Sequence, residues 1–265
     1  MRAFAYSRPS TLSDILDRLA DDPEARPLAG GMTLLPTLKQ RLSAPNELVD
    51  LAGVPLLAEI EEDEGELVVG ATATHASVAA SPIVRRLLPG LAGLARQIGD
   101  AQVRNRGTIG GSVANNDPAA DYPAALLALG AKVVTDRREM RAAEFFTGLF
   151  DTALETGELV LSVRFPLEQR CAYAKFRHPV SGYAMAGVCI AGRPGNWRVA
   201  VTGAGPGVFR LTALETRLAA GLDASAAEQV DVEPSSLISD FHASGEYRAQ
   251  LVRVMAARAI SELAS

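Results

Sequence analysis

The sequence predicts an α+β protein of two domains, and three observations lead to this prediction. Its 265 residues exceed one ordinary domain, and the hydrophobic fraction of 48% is ample for a core. Strand and helix patterns alternate in the first part of the chain, whereas paired strands followed by two helices end it. We place the boundary near residue 168, after Pro166. The first domain then covers residues 1–168, with subdomains at about 1–52 and 53–168, and the second covers residues 169–265.

The first fifty residues predict a small βαβαβ unit. Ile15, Leu16 and Leu19 fall at helical spacing, and Ser10 or Ser13 could cap that helix. The predicted elements are a strand at Arg2–Tyr6, a helix at Ser13–Ala20, a strand at Ala25–Ala29, a helix at Leu34–Leu42 and a strand at Glu47–Leu51.

Residues 53–168 predict strands at both ends with helices between them. The acidic run Glu61–Gly65 indicates the solvated turn of a hairpin. The stretch Ala101–Asn116 is polar and Gly-rich, and we predict that it is not helical. The predicted strands are Leu57–Ile60, Glu66–Val69, Lys132–Thr135 and Leu159–Phe165. One helix is predicted to begin at Thr74, a second to cover Pro82–Ile98 with a break at Pro89-Gly90, and a third to cover Pro123–Leu129.

The last hundred residues predict antiparallel strands followed by helices. The strands are Tyr183–Ala191 and Trp197–Gly203, joined through a turn that contains Pro194 and Gly195. The helices are Leu211–Ala220 and Glu246–Leu263.

The composition excludes several classes of function. A net charge of -5 argues against a nucleic-acid partner, which needs a clustered basic face. No apolar run approaches the roughly 18–20 residues of a membrane span, and the start of the chain does not read as a signal peptide, so we expect a cytoplasmic protein. Cys171 and Cys189 are expected to be buried or half-buried fillers, because two thiols cannot hold an iron–sulfur cluster or a structural zinc. Three scattered histidines do not favour a metal site either.

Two glycine pairs, about eighty residues apart, are the main candidates for a binding site. The first lies in a strand-turn-helix pattern and the second in a polar stretch; their residues are Ala29-Gly30-Gly31-Met32-Thr33-Leu34 and Thr108-Ile109-Gly110-Gly111-Ser112. Glycine lets a ligand approach the main chain, and consecutive N–H groups then converge on an anion. Either turn alone is more often structural. Neither pair matches the G-x-G-x-x-G pattern of the ordinary dinucleotide-binding fold or the Walker pattern of nucleoside-triphosphate loops. Two separate glycine turns suit one ligand with two adjacent phosphates, which they would hold from two sides.

The segment Asn115–Pro123 follows the second turn and offers polar groups to a polyol. Asp121 stands where a helix N-cap is expected, and a plain cap is the simplest interpretation. The functional alternative is that Asp121 binds a ribose or ribityl hydroxyl, with Thr108, Ser112, Asn115 and Asn116 serving the same polyol. No catalytic nucleophile and base pair is evident, which is typical of a protein whose chemistry belongs to its cofactor.

Three stretches resemble the FAD-binding subunits of carbon monoxide dehydrogenases and related molybdenum hydroxylases. They are Ile98–Ala131 (IGDAQVRNRGTIGGSVANNDPAADYPAALLALGA), Leu28–Leu42 (LAGGMTLLPTLKQRL) and Tyr173–Gly192 (YAKFRHPVSGYAMAGVCIAG). They occur in the family's order, and the similarity covers essentially the whole chain.

The resemblance implies a two-subdomain FAD-binding domain of the vanillyl-alcohol-oxidase (PCMH) type, followed by a C-terminal α+β domain of antiparallel strands and helices. It implies that both glycine turns hold the pyrophosphate, that Asp121 hydrogen-bonds a hydroxyl of FAD, and that Lys175 and Tyr183 lie close to the flavin. Leu161 is a further predicted contact. The implied partners are a molybdopterin-containing large subunit and a small subunit with [2Fe–2S] clusters, as a dimer of heterotrimers. Electrons would pass from the clusters to FAD and then to an external acceptor.

Many relatives carry histidine in the first turn, where this chain has Met32 and Thr33. Main-chain phosphate contacts survive that change, but a histidine side-chain contact does not. Two alternatives stay open: a stand-alone flavin reductase on the same fold, and a non-redox nucleotide-binding protein.

Overall fold

A computed structural model describes residues 1–167 and 169–265. The predicted domain boundary falls on Glu168, which lies outside the described residues, so the division into domains stays a prediction.

A three-stranded parallel sheet and two helices form the amino-terminal unit, in the predicted order. Its elements are β1 (Ala5–Ser7), α1 (Leu12–Asp21), β2 (Arg26–Leu28), α2 (Leu34–Lys39) and β3 (Glu47–Asp50), with the strand order β1-β3-β2. The cap of α1 is Thr11, whose side-chain oxygen accepts from the Asp14 backbone N–H, so the prediction of Ser10 or Ser13 was wrong. The first strand begins later than predicted, and α2 ends at Lys39 instead of Leu42.

A five-stranded antiparallel sheet forms the second unit. Its strands are β4 (Ile60–Asp63), β5 (Glu66–Gly70), β6 (Lys132–Thr135), β7 (Glu139–Arg141) and β10 (Val160–Pro166), in the order β4-β5-β10-β6-β7. A separate hairpin contains β8 (Phe146–Gly148) and β9 (Asp151–Thr152), and neither it nor β7 was predicted. The strand predicted at Leu57–Ile60 starts only at Ile60, because Pro55–Ala58 form a 3-10 turn that buries Leu57.

Seven helices of the described chain lie between β5 and β8. They are α3 (His75–Ala80), α4 (Pro82–Leu87), α5 (Pro89–Arg96), α6 (Ala101–Arg106), α7 (Ile109–Asn115), α8 (Tyr122–Leu129) and α9 (Ala142–Phe145). The prediction that Ala101–Asn116 is not helical was wrong. Glycine disfavours a helix interior, but side-chain caps at Asp100 and Thr108 stabilise the starts of two short helices, with Gly107 between them.

The carboxy-terminal unit is a four-stranded antiparallel sheet followed by helices. Its elements are β11 (Arg170–Arg177), β12 (Ala184–Arg193), β13 (Asn196–Thr202), β14 (Phe209–Arg210), α10 (Thr212–Leu218), α11 (Ser225–Glu228) and α12 (Gly245–Ala264). The predicted pairing of β12 with β13 is confirmed, whereas β11 was not predicted as a strand. Across residues 1–167 and 169–265, no helix is both long and apolar enough to cross a membrane.

The carboxy-terminal sheet is buried on both faces, and one of these faces belongs to the core of the second unit. β11 packs on α5 and β12 on α8, while α12 covers the other side. Tyr173, Cys189 and Ala200 therefore share a cluster with residues of α8 and β10. Cys189 is buried and Cys171 half-buried, as predicted, with 3.7 Å between their sulfur atoms. This packing brings side chains of β11 to the start of α8.

Candidate cofactor-binding site

The first glycine turn presents a row of four consecutive backbone N–H groups. Gly30 and Gly31 lie between β2 and α2, both are buried, and Gly31 takes a left-handed φ of 72°. Within the described chain, the N–H groups of Gly30, Gly31, Met32 and Thr33 donate to no protein atom. Gly30 and Gly31 are buried, where an N–H group without a partner is costly, whereas Met32 and Thr33 are exposed. Four neighbouring N–H groups without a protein acceptor fit an anion that accepts several hydrogen bonds at once.

The second glycine turn begins α7, and its backbone N–H groups are already used within the protein. The hydrogen bonds run from Ile109 to the Ala73 carbonyl (3.1 Å), from Gly110 to the Ala71 carbonyl (2.8 Å), from Gly111 to Thr108 Oγ1 (3.1 Å) and from Ser112 to the Thr108 carbonyl (3.0 Å). This corrects the expectation that both turns offer converging N–H groups, because these four are engaged. The second turn can still offer the hydroxyl groups of Thr108 and Ser112.

The two turns pack directly against each other. A Cβ atom on Gly30 would overlap the carbonyl oxygen of Arg106 and lie 2.8 Å from Cα of Gly107. The φ of Gly30 is not in the left-handed region, so space alone requires glycine there. On the other side, a Cβ on Gly111 would lie 3.9 Å from Cβ of Ala29. The structure therefore joins the two predicted turns into one surface.

Leu161 lies beside both turns. Its carbonyl oxygen accepts from the Ala71 N–H at 2.8 Å, and the Ala71 carbonyl in turn accepts from Gly110. Its side chain packs, together with Ala29, against the core of the amino-terminal unit. The half-buried Leu34 begins the helix that follows the first turn.

Asp121 is not a helix cap but half of a buried ion pair. Its carboxylate accepts from Lys175 Nζ at 2.9 and 3.0 Å and from the Tyr173 hydroxyl, and its side chain caps no N–H of α8. The Asp121 and Lys175 side chains are 3% and 2% exposed. Burial raises the pKa of Asp121, while the charge of Lys175 and the hydrogen bond from Tyr173 oppose this rise. The cap interpretation was therefore wrong.

Tyr183 links the carboxy-terminal unit to the first turn. Tyr183 is 42% exposed. Partial burial and the nearby carboxylates of Asp117 and Asp121 raise the pKa of Tyr183, and the Thr33 side chain lies close enough to its hydroxyl to oppose this rise. The predicted contacts Thr33, Asp121 and Tyr183 therefore lie in one neighbourhood.

Asn116 has a structural role and does not offer its amide to a polyol. The residue is buried, with a left-handed φ of 42°, and its Nδ2 donates to the carbonyls of Gly148 (2.9 Å) and Asp151 (2.7 Å). Asn116 thereby fixes the β8–β9 hairpin, which corrects its expected role. Asn115 and Ser112 are half-buried on α7, and no protein group in the described chain bonds their side chains.

His75 packs against the residues that precede the second turn. Sequence reasoning did not identify this role of His75. The ring is 5% exposed, and a Cβ on Gly107 would lie 2.6 Å from its Nε2. The ring also lies 5.4 Å from that of Tyr122, which follows Asp121. Burial, and secondarily the charge of Arg104, lower the pKa of His75 to about 4. Nothing in the sequence distinguishes this histidine, because its neighbours come from other parts of the chain.

We expect His75 to make the protein less stable in acid. The pKa of His75 falls from 6.5 in the unfolded chain to about 4 in the folded one, so the unfolded state binds the proton first. The contribution of neutral His75 is lost as pH falls from 6.5 through 4, by about 3 kcal/mol in total. Denaturant unfolding at several pH values should show that the free energy of unfolding depends less steeply on pH in His75→Gln than in wild type. The control His242→Gln alters an exposed ring; equal slopes in His75→Gln and wild type would contradict the prediction.

The geometry of the two turns and of the Asp121–Lys175 pair defines a class of protein. The N–H groups of Gly30–Thr33 and the second glycine turn packed against them form a main-chain cradle that suits the phosphates of a cofactor. The buried Asp121–Lys175 pair supplies charged side chains to the same neighbourhood. A Cβ atom on Gly30 would overlap the Arg106 carbonyl oxygen and force the two turns apart, so glycine at this position maintains the cradle.

Comparison with known proteins identifies the family. Residues 2–168 match the family described as "FAD binding domain in molybdopterin dehydrogenase". The nicotine 6-hydroxylase medium subunit of Paenarthrobacter nicotinovorans is 35% identical over 98% of this chain and 97% of that protein. The carbon monoxide dehydrogenase medium chain of Hydrogenophaga pseudoflava is 33% identical, with 97% and 96% covered. A chain of the reconstituted CO dehydrogenase from Oligotropha carboxidovorans superposes with a TM-score of 0.91 at 30% identity, covering 98% of this chain and 97% of that one.

The chain therefore belongs to the FAD-binding family of the molybdopterin dehydrogenases. It is a flavoprotein subunit of the oxidoreductase type, and the predicted α+β fold and FAD cofactor are confirmed.

Proposed function

We propose that this chain is the electron-relay subunit of a molybdenum hydroxylase. The observation that carries the proposal is the row of unused N–H groups at Gly30–Thr33, set against the second glycine turn. FAD, when bound, would supply the redox chemistry between the [2Fe–2S] clusters of a partner and an external acceptor.

Different residues of the site would bind different parts of FAD. The N–H groups of the first turn hold the diphosphate, since a helix start and consecutive N–H groups both favour negative charge. The hydroxyl groups of Thr108 and Ser112, in the second turn, would donate to the same cofactor. Asp121 accepts from a ribityl or ribose hydroxyl, and Lys175 holds its carboxylate in place. Tyr183, which lies near Thr33 and Asp121, would be close to the isoalloxazine ring. The remaining predicted contacts are Ala29, Leu34, Ile109, Gly110, Gly111, Asn115 and Leu161.

We propose that the partners are a molybdopterin-containing large subunit and a [2Fe–2S] small subunit, in a dimer of heterotrimers. The names of the relatives support this, since they are medium subunits or medium chains. The chain has two cysteines, too few for the four ligands of one [2Fe–2S] cluster. The relatives' names include nicotine and carbon monoxide, so we assign substrate choice to another subunit.

Purification of the tagged full-length chain from its native cells tests the proposal. We expect flavin absorption together with molybdenum and iron, carried by two co-purifying chains. A chain that purifies alone with FAD and reduces a substrate unaided would instead be a stand-alone reductase. A colourless chain that does not take up added FAD would indicate a non-redox nucleotide-binding protein.

A further inference from the structure

The hydroxyl group of Tyr173 is buried against the Asp121 carboxylate. Tyr173 is 3% exposed, and its hydroxyl donates to Oδ1 of Asp121. Burial, followed by the Asp121 charge, raises the pKa of Tyr173, so the hydroxyl stays protonated and can only donate to this carboxylate. Tyr173 and Lys175 stand two residues apart on β11, so both project to the same face of the sheet.

Gly187 provides the space that the Tyr173 hydroxyl needs. It lies on β12, opposite Lys175 in the antiparallel register. A Cβ atom on Gly187 would overlap the Tyr173 hydroxyl and lie 3.0 Å from both Cζ of Tyr173 and Cγ2 of Thr202. The overlap is with the hydroxyl itself, so glycine at this position allows the Tyr173–Asp121 hydrogen bond to form.

The donors on Asp121 are distributed unequally. Oδ1 accepts from both Tyr173 and Lys175, whereas Oδ2 accepts from Lys175 and from no other group of residues 1–167 and 169–265. Lys175 is itself fixed, because Nζ also donates to the Gly182 carbonyl at 3.1 Å. A carboxylate oxygen can accept more than one hydrogen bond, so Oδ2 retains capacity for a further donor.

We infer that Tyr173 is a positioning residue for the cofactor: it holds Oδ1 so that Oδ2 of Asp121 can accept from an FAD hydroxyl, and Gly187 makes this possible. The inference rests on the proposed role of Asp121 in binding FAD. It adds two residues of the carboxy-terminal unit to the binding apparatus of the family domain, which ends at residue 168.

The test is FAD affinity of the full-length chain, measured by titration of cofactor-depleted protein. We expect Tyr173→Phe to weaken FAD binding about tenfold, the effect of one hydrogen bond to a charged group. Tyr247→Phe is the matched control, since Tyr247 is 46% exposed and its ring lies edge to face with that of Phe176, with 6.4 Å between the ring centroids. We expect Tyr247→Phe to bind FAD as wild type does.

A double variant separates positioning from general damage to the fold. Gly187→Ala alone should weaken FAD binding by a similar factor, because its methyl group displaces the Tyr173 hydroxyl. In the Tyr173→Phe background the hydroxyl is absent, so adding Gly187→Ala should weaken FAD binding by less than a further threefold. The flavin absorption spectrum of each saturated variant should show whether the shifted carboxylate alters the bound cofactor.

The outcomes distinguish the two proposals. If wild type binds FAD and Tyr173→Phe binds it equally well, the positioning role is wrong although the chain is a flavoprotein. Full additivity of the two substitutions would also overturn it, since it would indicate independent structural effects. If wild type does not bind FAD, the proposed function itself fails.

Discussion

Gly30→Ala is expected to reduce FAD affinity at least a hundredfold. The new methyl group would overlap the Arg106 carbonyl oxygen and lie 2.6 Å from its carbon, and neither backbone can yield without separating the two glycine turns. Such overpacking costs about 1–3 kcal/mol of stability, and the row of N–H groups would lose its alignment on the diphosphate. Titration of the full-length protein with FAD measures the effect.

Gly93→Ala is the control for this substitution. Gly93 lies in α5, and a Cβ atom there would meet no other atom within 4 Å. Alanine favours a helix interior over glycine by up to about 1 kcal/mol, so this variant should be as stable as wild type or more so, with unchanged FAD binding. Retention of wild-type affinity by Gly30→Ala would mean that the contact between the turns does not shape the site.

Lys175→Met is expected to lower the free energy of unfolding by about 3–5 kcal/mol and to weaken FAD binding more than tenfold. The substitution leaves the Asp121 carboxylate buried with only the Tyr173 hydroxyl as a donor. The variant should also become less sensitive to acid, since protonation of Asp121 would relieve the unpaired charge. Denaturant unfolding and FAD titration provide both readouts.

Two further variants sharpen this prediction. Lys132→Met removes an ion pair to Glu139 (3.0 Å) from a side chain that is 37% exposed, and should cost no more than about 1 kcal/mol. The double variant Asp121→Asn/Lys175→Met removes both buried charges, so it should recover stability without recovering FAD affinity. Recovery of both properties would show that the pair serves only the fold.

Local patterns predicted most elements of the fold. The βαβαβ unit, the strands β12 and β13 and the helix α12 all follow from apolar periodicity and glycine turns. The predictions failed where local and tertiary effects compete. Helix α7 was not predicted because Gly110 and Gly111 disfavour a helix. The helix depends on the Thr108 cap and on hydrogen bonds to Ala71 and Ala73.

The site was only partly predictable for a related reason. Glycine-rich turns are visible in sequence, but whether their N–H groups are free depends on what packs beside them, and the two turns proved different in this respect. Asp121 looked like a cap because its partners, Tyr173 and Lys175, lie more than fifty residues away on β11. The resemblance to a known family named Lys175, whereas His75, Tyr173 and Gly187 carry no local signal.

A crystal structure of the full-length chain with FAD tests the central claim most directly. We predict that oxygen atoms of the diphosphate lie within about 3.2 Å of the backbone nitrogens of the first turn, Gly30–Thr33. A diphosphate bound elsewhere, with those nitrogens facing only solvent, would contradict the account.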